Sequence, residues 1–268
     1  MNTKLAILGA GNLGIAIAQG ALKSGVTHAA NITLTRRHLA KIDQLRVEGF
    51  QLTSDNNAAV KSSEVIILCV QPKQVAGLLT EIAPSLDEKK HILVSTITGV
   101  STDDMIANLG GKNIPIVRAM PNTAIAIGAS MTCMCAKNTS ENQLKLVKQL
   151  FDSLGETMLI EERLMKAATV LAASGIAFFM RYLRAATQGG IQLGFDAEEA
   201  QAIAVQTAKG AAILLQKNES HPETEIDRVT TPEGCTIAGL NEMEHQGLSS
   251  ALIKGILTSF EKINNIRK

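Results

Sequence analysis

Short β-branched runs alternate with helical patterns along the first part of this 268-residue chain, and that alternation limits what it can fold into. Leu5–Leu8, Ile32–Thr35, Val65–Val70, Ile92–Ser95, Ile114–Val117 and Ala129–Ala136 read as strands. Strands separated by helices pair in parallel, because each crossover returns the chain to the edge it left. Helix starts fall between them. Ser101-Thr102-Asp103-Asp104 and Ser140-Glu141-Asn142-Gln143 look like capping boxes, which satisfy amides left open at a helix N-terminus. From about residue 161 the strand signal stops. Helices are then expected over Glu161 to about Gly189, Asp196 to about Asn218, Thr236–His245 and Leu248 to about Asn264, with Asp196 and Glu199 as a cap and Gly247 as a stop. The expectation is an α/β domain with a mainly parallel sheet over 1–160 and an all-helical domain over 161–268.

Composition removes several classes of function. Lys plus Arg is 26 and Asp plus Glu 25, so the net charge is +1 and no partner is recruited by bulk charge. Aromatics are 3%, with no Trp and one Tyr, too few to build stacking platforms for nucleic acid. The longest strictly apolar run, Val65–Val70, is far short of the roughly 18 residues of a membrane span. The run from Ala167 to Met180 is broken by Thr169, Ser174 and Gly175 and reads as a buried helix. Met1-Asn2-Thr3-Lys4 lacks a signal peptide's apolar region, so a cytoplasmic location is expected. Cys69, Cys133, Cys135 and Cys235 form no C-x-x-C pair and are expected to be reduced packing residues. The five histidines are scattered, and no metal site is expected.

Gly9-Ala10-Gly11-Asn12-Leu13-Gly14 is a G-x-G-x-x-G turn that follows the apolar Leu5–Leu8 and opens a helix rich in Ala and Ile. In that context the first glycine permits the turn, the second lets backbone approach a pyrophosphate, and the third lets helix pack on strand. The helix N-terminus adds free amides and partial positive charge. An NAD site places Asp or Glu about 20 residues further on, at the end of the second strand, to hold the ribose hydroxyl. This chain has Thr35-Arg36-Arg37-His38 there. Two guanidiniums suit the 2′-phosphate of NADP, although a solvated charge pair starting a surface helix has the same sequence. In the tail, Ala200, Ile203, Ala204, Thr207, Ala211 and Leu214 follow an i, i+3, i+4 rhythm dominated by small residues, as on helices that pack against a second subunit.

Five further segments carry a resemblance: Ile116-Val117-Arg118-Ala119-Met120-Pro121-Asn122-Thr123, Ala173-Ser174-Gly175, Gln206-Thr207-Ala208-Lys209-Gly210-Ala211-Ala212, His221-Pro222, and Val229-Thr230-Thr231-Pro232-Glu233-Gly234-Cys235-Thr236-Ile237-Ala238-Gly239-Leu240. With the glycine turn, their order resembles the Δ1-pyrroline-5-carboxylate reductase family over nearly the whole chain. Five positions depart from its pattern. Ile176 replaces the proline of S-G-P, Ala124 the proline after M-P-N-T, Gln71 a common lysine, and Glu233 and Cys235 a Gly and a Thr in the last motif. Glu233 thereby puts negative charge beside a turn that should bind a carboxylate.

The resemblance implies reduction of 1-pyrroline-5-carboxylate to L-proline by NADPH. It also implies a homodimer through the helical domain, often assembled into a larger ring. Thr236 then takes the place of the threonine whose hydroxyl meets the ring nitrogen, and Thr231 that of the carboxylate-binding serine, with Gly234, Cys235, Ser174 and Gly175 beside the substrate. Gly9, Gly11, Asn12, Leu13, Gly14, Arg36, Arg37, Asn56, Val70, Gln71, Pro72, Met120 and Asn122 are the expected cofactor residues. Asn56 fits an N-cap equally well, and the strand-end loops at Val70–Pro72 and Met120–Asn122 are placed for ligands without being committed to one. Three other readings remain. A β-hydroxyacid dehydrogenase would need a Lys with an Asn four residues on, but Lys166 is followed there by Val170. A related imine reductase, or an NADP-binding protein without turnover, would keep the fold.

Overall fold

The computed structural model describes residues 3–264. Its strands are β1 (Leu5–Leu8), β2 (Ile32–Thr35), β3 (Gln51–Thr53), β4 (Val65–Leu68), β5 (Ile92–Ser95), β6 (Ile116–Met120), β7 (Ser130–Lys137) and β8 (Gly155–Leu159). They form one sheet in the order β3-β2-β1-β4-β5-β6-β7-β8, parallel throughout except for the β6–β7 pair. β1, β4 and β5 are buried at every position, as parallel strands covered on both faces must be.

The period of two decides which side chain meets which helix. Leu5 and Ile7 pack with Ile17, Ala18 and Ala21 of α1 (Asn12–Lys23) and with Val147, Leu150 and Phe151 of α5 (Glu141–Asp152). Ala6 and Leu8 face the other way. They meet Ala59 and Val60 of α2 (Asn56–Lys61), Val75 and Leu79 of α3 (Val75–Ile82), and Met105 of α4 (Thr102–Asn108). Both expected capping boxes form, with Asp104 N donating to Ser101 Oγ and Gln143 N to Ser140 Oγ. Three strands differ from expectation at their ends: β4 stops at Leu68 rather than Val70, β6 spans Ile116–Met120 rather than Ile114–Val117, and β7 spans Ser130–Lys137 rather than Ala129–Ala136.

The described chain divides into one compact unit that runs to Ser174 and takes up the last turns from Phe260, and a second over Gly175–Ser259. A short helix, α6 (Met165–Ala168), passes into a π turn over Thr169–Ser174, so the helix expected from Glu161 is interrupted. The second unit comprises α7 (Gly175–Gln192), α8 (Ala197–Asn218), α9 (Pro222–Val229), α10 (Cys235–His245) and most of α11 (Leu248–Asn264). Asp196 and Glu199 close the expected box at the start of α8.

Where α7 meets α8, a Cβ on Gly190 would lie 2.9 Å from that of Ala200, so glycine sets the approach. The rest of the α8 stripe is less enclosed, with Ile203 and Leu214 exposed. The expectation of a buried helix over Ala167–Met180 is corrected by the structure. Leu171 is 70%, Phe179 63% and Met180 58% exposed in the single chain, so cover for this apolar surface has to come from outside it. Glu162–Gln192 is also, among the described residues, the one helical run long and apolar enough by composition to cross a membrane.

Candidate functional site

The glycine turn divides its tasks as the spacing implies. Gly9 has φ +104°, and a Cβ there would sit 2.6 Å from the carbonyl oxygen of Cys69. A Cβ on Gly14 would be 2.6 Å from Gly9 O and 3.1 Å from Ile7 Cγ2, so α1 rests directly on β1. Gly11 differs: a Cβ there would meet nothing within 4 Å. Gly11 is the N-cap of α1 and no side chain caps that end, which leaves first-turn amides facing an open cradle. Exposed Asn12 and half-buried Leu13 begin the helix. Gly9 N and Ala10 N both donate to Thr35 O, at 3.3 and 2.8 Å, which ties the turn to the end of β2. The cradle fits a pyrophosphate by shape, charge and donors.

Beyond β2, Arg36 Nη1 donates to Ala10 O at 2.8 Å, so this guanidinium lies across the glycine turn, while Arg37 is exposed. Thr35 Oγ1 donates to Asn56 Oδ1 at 2.7 Å, and Asn56 Nδ2 donates to Glu81 Oε1 at 3.1 Å. The cap of α2 is Asp55, whose Oδ1 accepts from Ala58 N, leaving Asn56 in the first turn with its amide turned toward Thr35. After β4, Val70 packs where a Gly9 side chain would otherwise go, and Gln71 N donates to Gln74 Oε1. Gly9–Gly14, Thr35–Arg37, Asn56 and Val70–Pro72 therefore gather where β1 and β4 part, the switch point at which open α/β sheets hold ligands.

At the end of β6, Met120 is buried with Cys135 and Met165, and Ile160 and Ala173 pack against them. Pro121 is buried, and Asn122 N donates to Ser130 Oγ. Two residues before Met120, on the same face of β6, Arg118 is 4% exposed, and its Nη1 donates to Glu162 Oε1 at 3.1 Å. Glu162 also accepts from Thr102 N at 2.8 Å and Thr102 Oγ1 at 2.6 Å. Burial alone would raise its carboxyl, but the Thr102 hydroxyl and amide and the Arg118 guanidinium outweigh that and hold it below the ordinary range. Sequence reasoning missed this network, whose partners lie 44 and 60 residues apart and leave no local signal. Burial pushes the Cys69 thiol up to about 12 and that of Cys135 to about 11, so neither is a nucleophile near neutral pH.

The second unit carries the remaining candidates. Gly234 is the N-cap of α10, and a Cβ on it would lie 2.6 Å from Thr231 Oγ1. Gly234 N donates to Thr231 O at 3.0 Å, and Glu233 between them has φ +59°. Cys235 and Thr236 are the first two residues of α10, and both are exposed with Thr231. Thr231, Gly234, Cys235 and Thr236 thus form one turn. Ser174 ends the π turn and Gly175 begins α7.

Residues 162–266 match the profile for pyrroline-5-carboxylate reductase dimerisation, and residues 4–99 that for coenzyme F420-dependent NADP oxidoreductases. Pyrroline-5-carboxylate reductase 2 of Dictyostelium discoideum is 48% identical over 276 residues, which cover 97% of this chain and 92% of that relative. The chain belongs to the pyrroline-5-carboxylate reductase family. Pyrroline-5-carboxylate reductase 1 of the same organism is also 48% identical, over 270 residues that cover 96% of this chain but only 49% of the relative's own length. The solved structure of Plasmodium falciparum pyrroline carboxylate reductase, with NADP bound, superposes with a TM-score of 0.90 over 98% of both chains at 23% identity, which is a likeness of fold. As a member of that family, the chain is an oxidoreductase with an NADP-binding Rossmann-like domain. The readings as a β-hydroxyacid dehydrogenase or a protein without turnover are not favoured. The dimerisation profile covers the helices whose apolar faces stand exposed, and it explains why Phe179 and Met180 lack cover in one chain.

Proposed function

We propose that this chain reduces 1-pyrroline-5-carboxylate to L-proline, the last step of proline synthesis, with NADPH preferred over NADH. It acts in the cytoplasm as a homodimer joined through the helical domain, with a larger ring as the further assembly. The observation that carries the substrate reading is the turn Thr231–Thr236. Gly234 is pressed against Thr231 at the front of an 11-residue helix, where backbone amides and the dipole favour an anion.

The bound cofactor supplies hydride. Gly9, Gly11, Asn12, Leu13 and Gly14 hold its pyrophosphate, Arg36 and Arg37 its 2′-phosphate, and Asn56 its adenosine end. Val70, Gln71, Pro72 and Met120, with the turn at Asn122, wall the nicotinamide. Thr231, Gly234 and Cys235 grip the substrate carboxylate, and Ser174 and Gly175 line the ring. The Thr236 hydroxyl meets the imine nitrogen, directly or through water, and holds a proton there. A protonated C=N bond accepts hydride readily, so positioning supplies most of the rate. No His, Cys or Lys is needed as an acid.

Replacing Thr236 by alanine is expected to lower kcat/KM for pyrroline-5-carboxylate on the order of 10- to 100-fold. Unchanged kcat and KM would remove Thr236 from the reaction. Steady-state kinetics with both reductants test the second half of the proposal. The guanidiniums at Arg36 and Arg37 predict a kcat/KM favouring NADPH about tenfold or more; a tenfold preference for NADH would reject it.

A further inference from the structure

We propose that Asn122 is a positioning residue, whose side-chain amide holds the π turn at Thr169–Ser174 open and so sets where the chain enters Ser174 and Gly175. The inference rests on the reading above, in which Ser174 and Gly175 border the substrate.

Asn122 is committed to the protein at almost every polar atom. Its backbone N–H donates to Ser130 Oγ at 3.0 Å, and its carbonyl accepts from Ile125 N at 3.1 Å. Side-chain Oδ1 accepts from Ala124 N at 3.0 Å, capping the turn over Thr123–Ile127. Nδ2 donates to Ala172 O at 3.3 Å, across 50 residues of sequence. That carbonyl lies inside the π turn. A π turn displaces the i→i−4 ladder and is rare without support, so a donor brought from outside stabilises it. Two further ties hold the same segment. Thr169 Oγ1 donates to Met165 O at 2.7 Å, and Ala173 packs on the buried trio Met120, Cys135 and Met165.

Residue 176 explains why the chain needs this clasp. In an α-helix the N–H of residue 176 would bond the carbonyl of residue 172, four places earlier. A proline at 176 has no N–H, and its ring crowds that carbonyl, which alone would force the ladder open. This chain has Ile176, which exerts no such force. The Asn122 amide reaches the very carbonyl that a proline would have displaced, and it keeps the wide turn where sequence alone would allow an ordinary helix.

The test is Asn122→Asp, with and without Ile176→Pro. An ionised aspartate still accepts from Ala124 N but has no hydrogen for Ala172 O. The expected result in the single variant is a KM for pyrroline-5-carboxylate raised about tenfold, with altered amide exchange confined to a peptide spanning residues 165–178. Adding Ile176→Pro should restore both KM and the exchange pattern while the new charge persists. Exchange identical to the parent, or a proline that rescues neither KM nor the exchange pattern, would overturn the proposal.

Should Asn122→Asp fail to fold, Ile176→Pro alone decides. It is expected to keep the parent's exchange pattern and kcat/KM, and a tenfold loss would refute a turn already open. If the parent does not turn over pyrroline-5-carboxylate, the functional reading falls, while the exchange arm still judges the clasp.

Discussion

Alanine at Gly11 should leave the protein as stable as before and weaken its hold on NADPH on the order of 10- to 100-fold in Kd, since a methyl group there enters the space a pyrophosphate needs. The added Cβ meets nothing within 4 Å in the protein itself, so the fold has no reason to object. Gly9→Ala is the contrasting control. Its Cβ would press within 2.6 Å of Cys69 O at a φ of +104°, so both stability and affinity should fall. Thermal melts with and without NADPH separate the two variants. A Gly11→Ala protein that melts early without cofactor, or that binds as tightly as the parent, would show the cradle to be something other than a phosphate site.

The second large effect is expected at Glu162. Glu162→Ala strips Arg118 of its partner inside the protein and leaves the Thr102 hydroxyl and amide without their acceptor. Removing one member of a buried pair costs more than the pair contributes, because the remaining charge stays desolvated. One third of the Glu162 side chain meets water, which tempers the loss. A destabilisation of about 2–3 kcal/mol follows, or a drop in Tm of roughly 4–10 °C for a unit of this size. Arg118→Met combined with Glu162→Leu should be less damaging than Glu162→Ala alone, and a double variant worse than the single would refute the account. The same carboxylate gives a pH dependence. Its folded value lies below its ordinary value of 4.5, so its contribution is complete above that pH and is lost as pH falls through the depressed value. The parent should lose stability in that acidic window, and Glu162→Ala should lose less.

What could be read in advance was what is local. Gly9, Gly11 and Gly14 each obey a rule about one turn, and the capping boxes at Ser101, Ser140 and Asp196 each span four residues, so the sequence states them directly. β3 and β8 escaped because they are short edge segments, three and five residues long, without the apolar period of a central strand. α9 escaped because its eight residues are mostly polar and begin at Pro222. The π turn has no sequence signature at all; Asn122 and Ala172 must first be brought together by β6 and α6. Arg36 shows the same limit within the site. Its charge was legible, but its seat on Ala10 O, 26 residues away, depends on β1 and β2 lying side by side.

Glu233 has a consequence for how strongly the enzyme can grip. A residue with a Cβ held at φ +59° costs roughly 1 kcal/mol that glycine would not, and on the proposed site its carboxylate would repel the acid that the adjoining helix front attracts. Glu233→Gly should therefore tighten the enzyme for its substrate, and Glu233→Gln should recover only the electrostatic share. Added salt, by screening that repulsion, should lower KM for the parent and do little for either replacement. If the proposed site holds the acid there, such a residue would set the enzyme for abundant imino acid, its saturation point moving with the ionic composition of its surroundings.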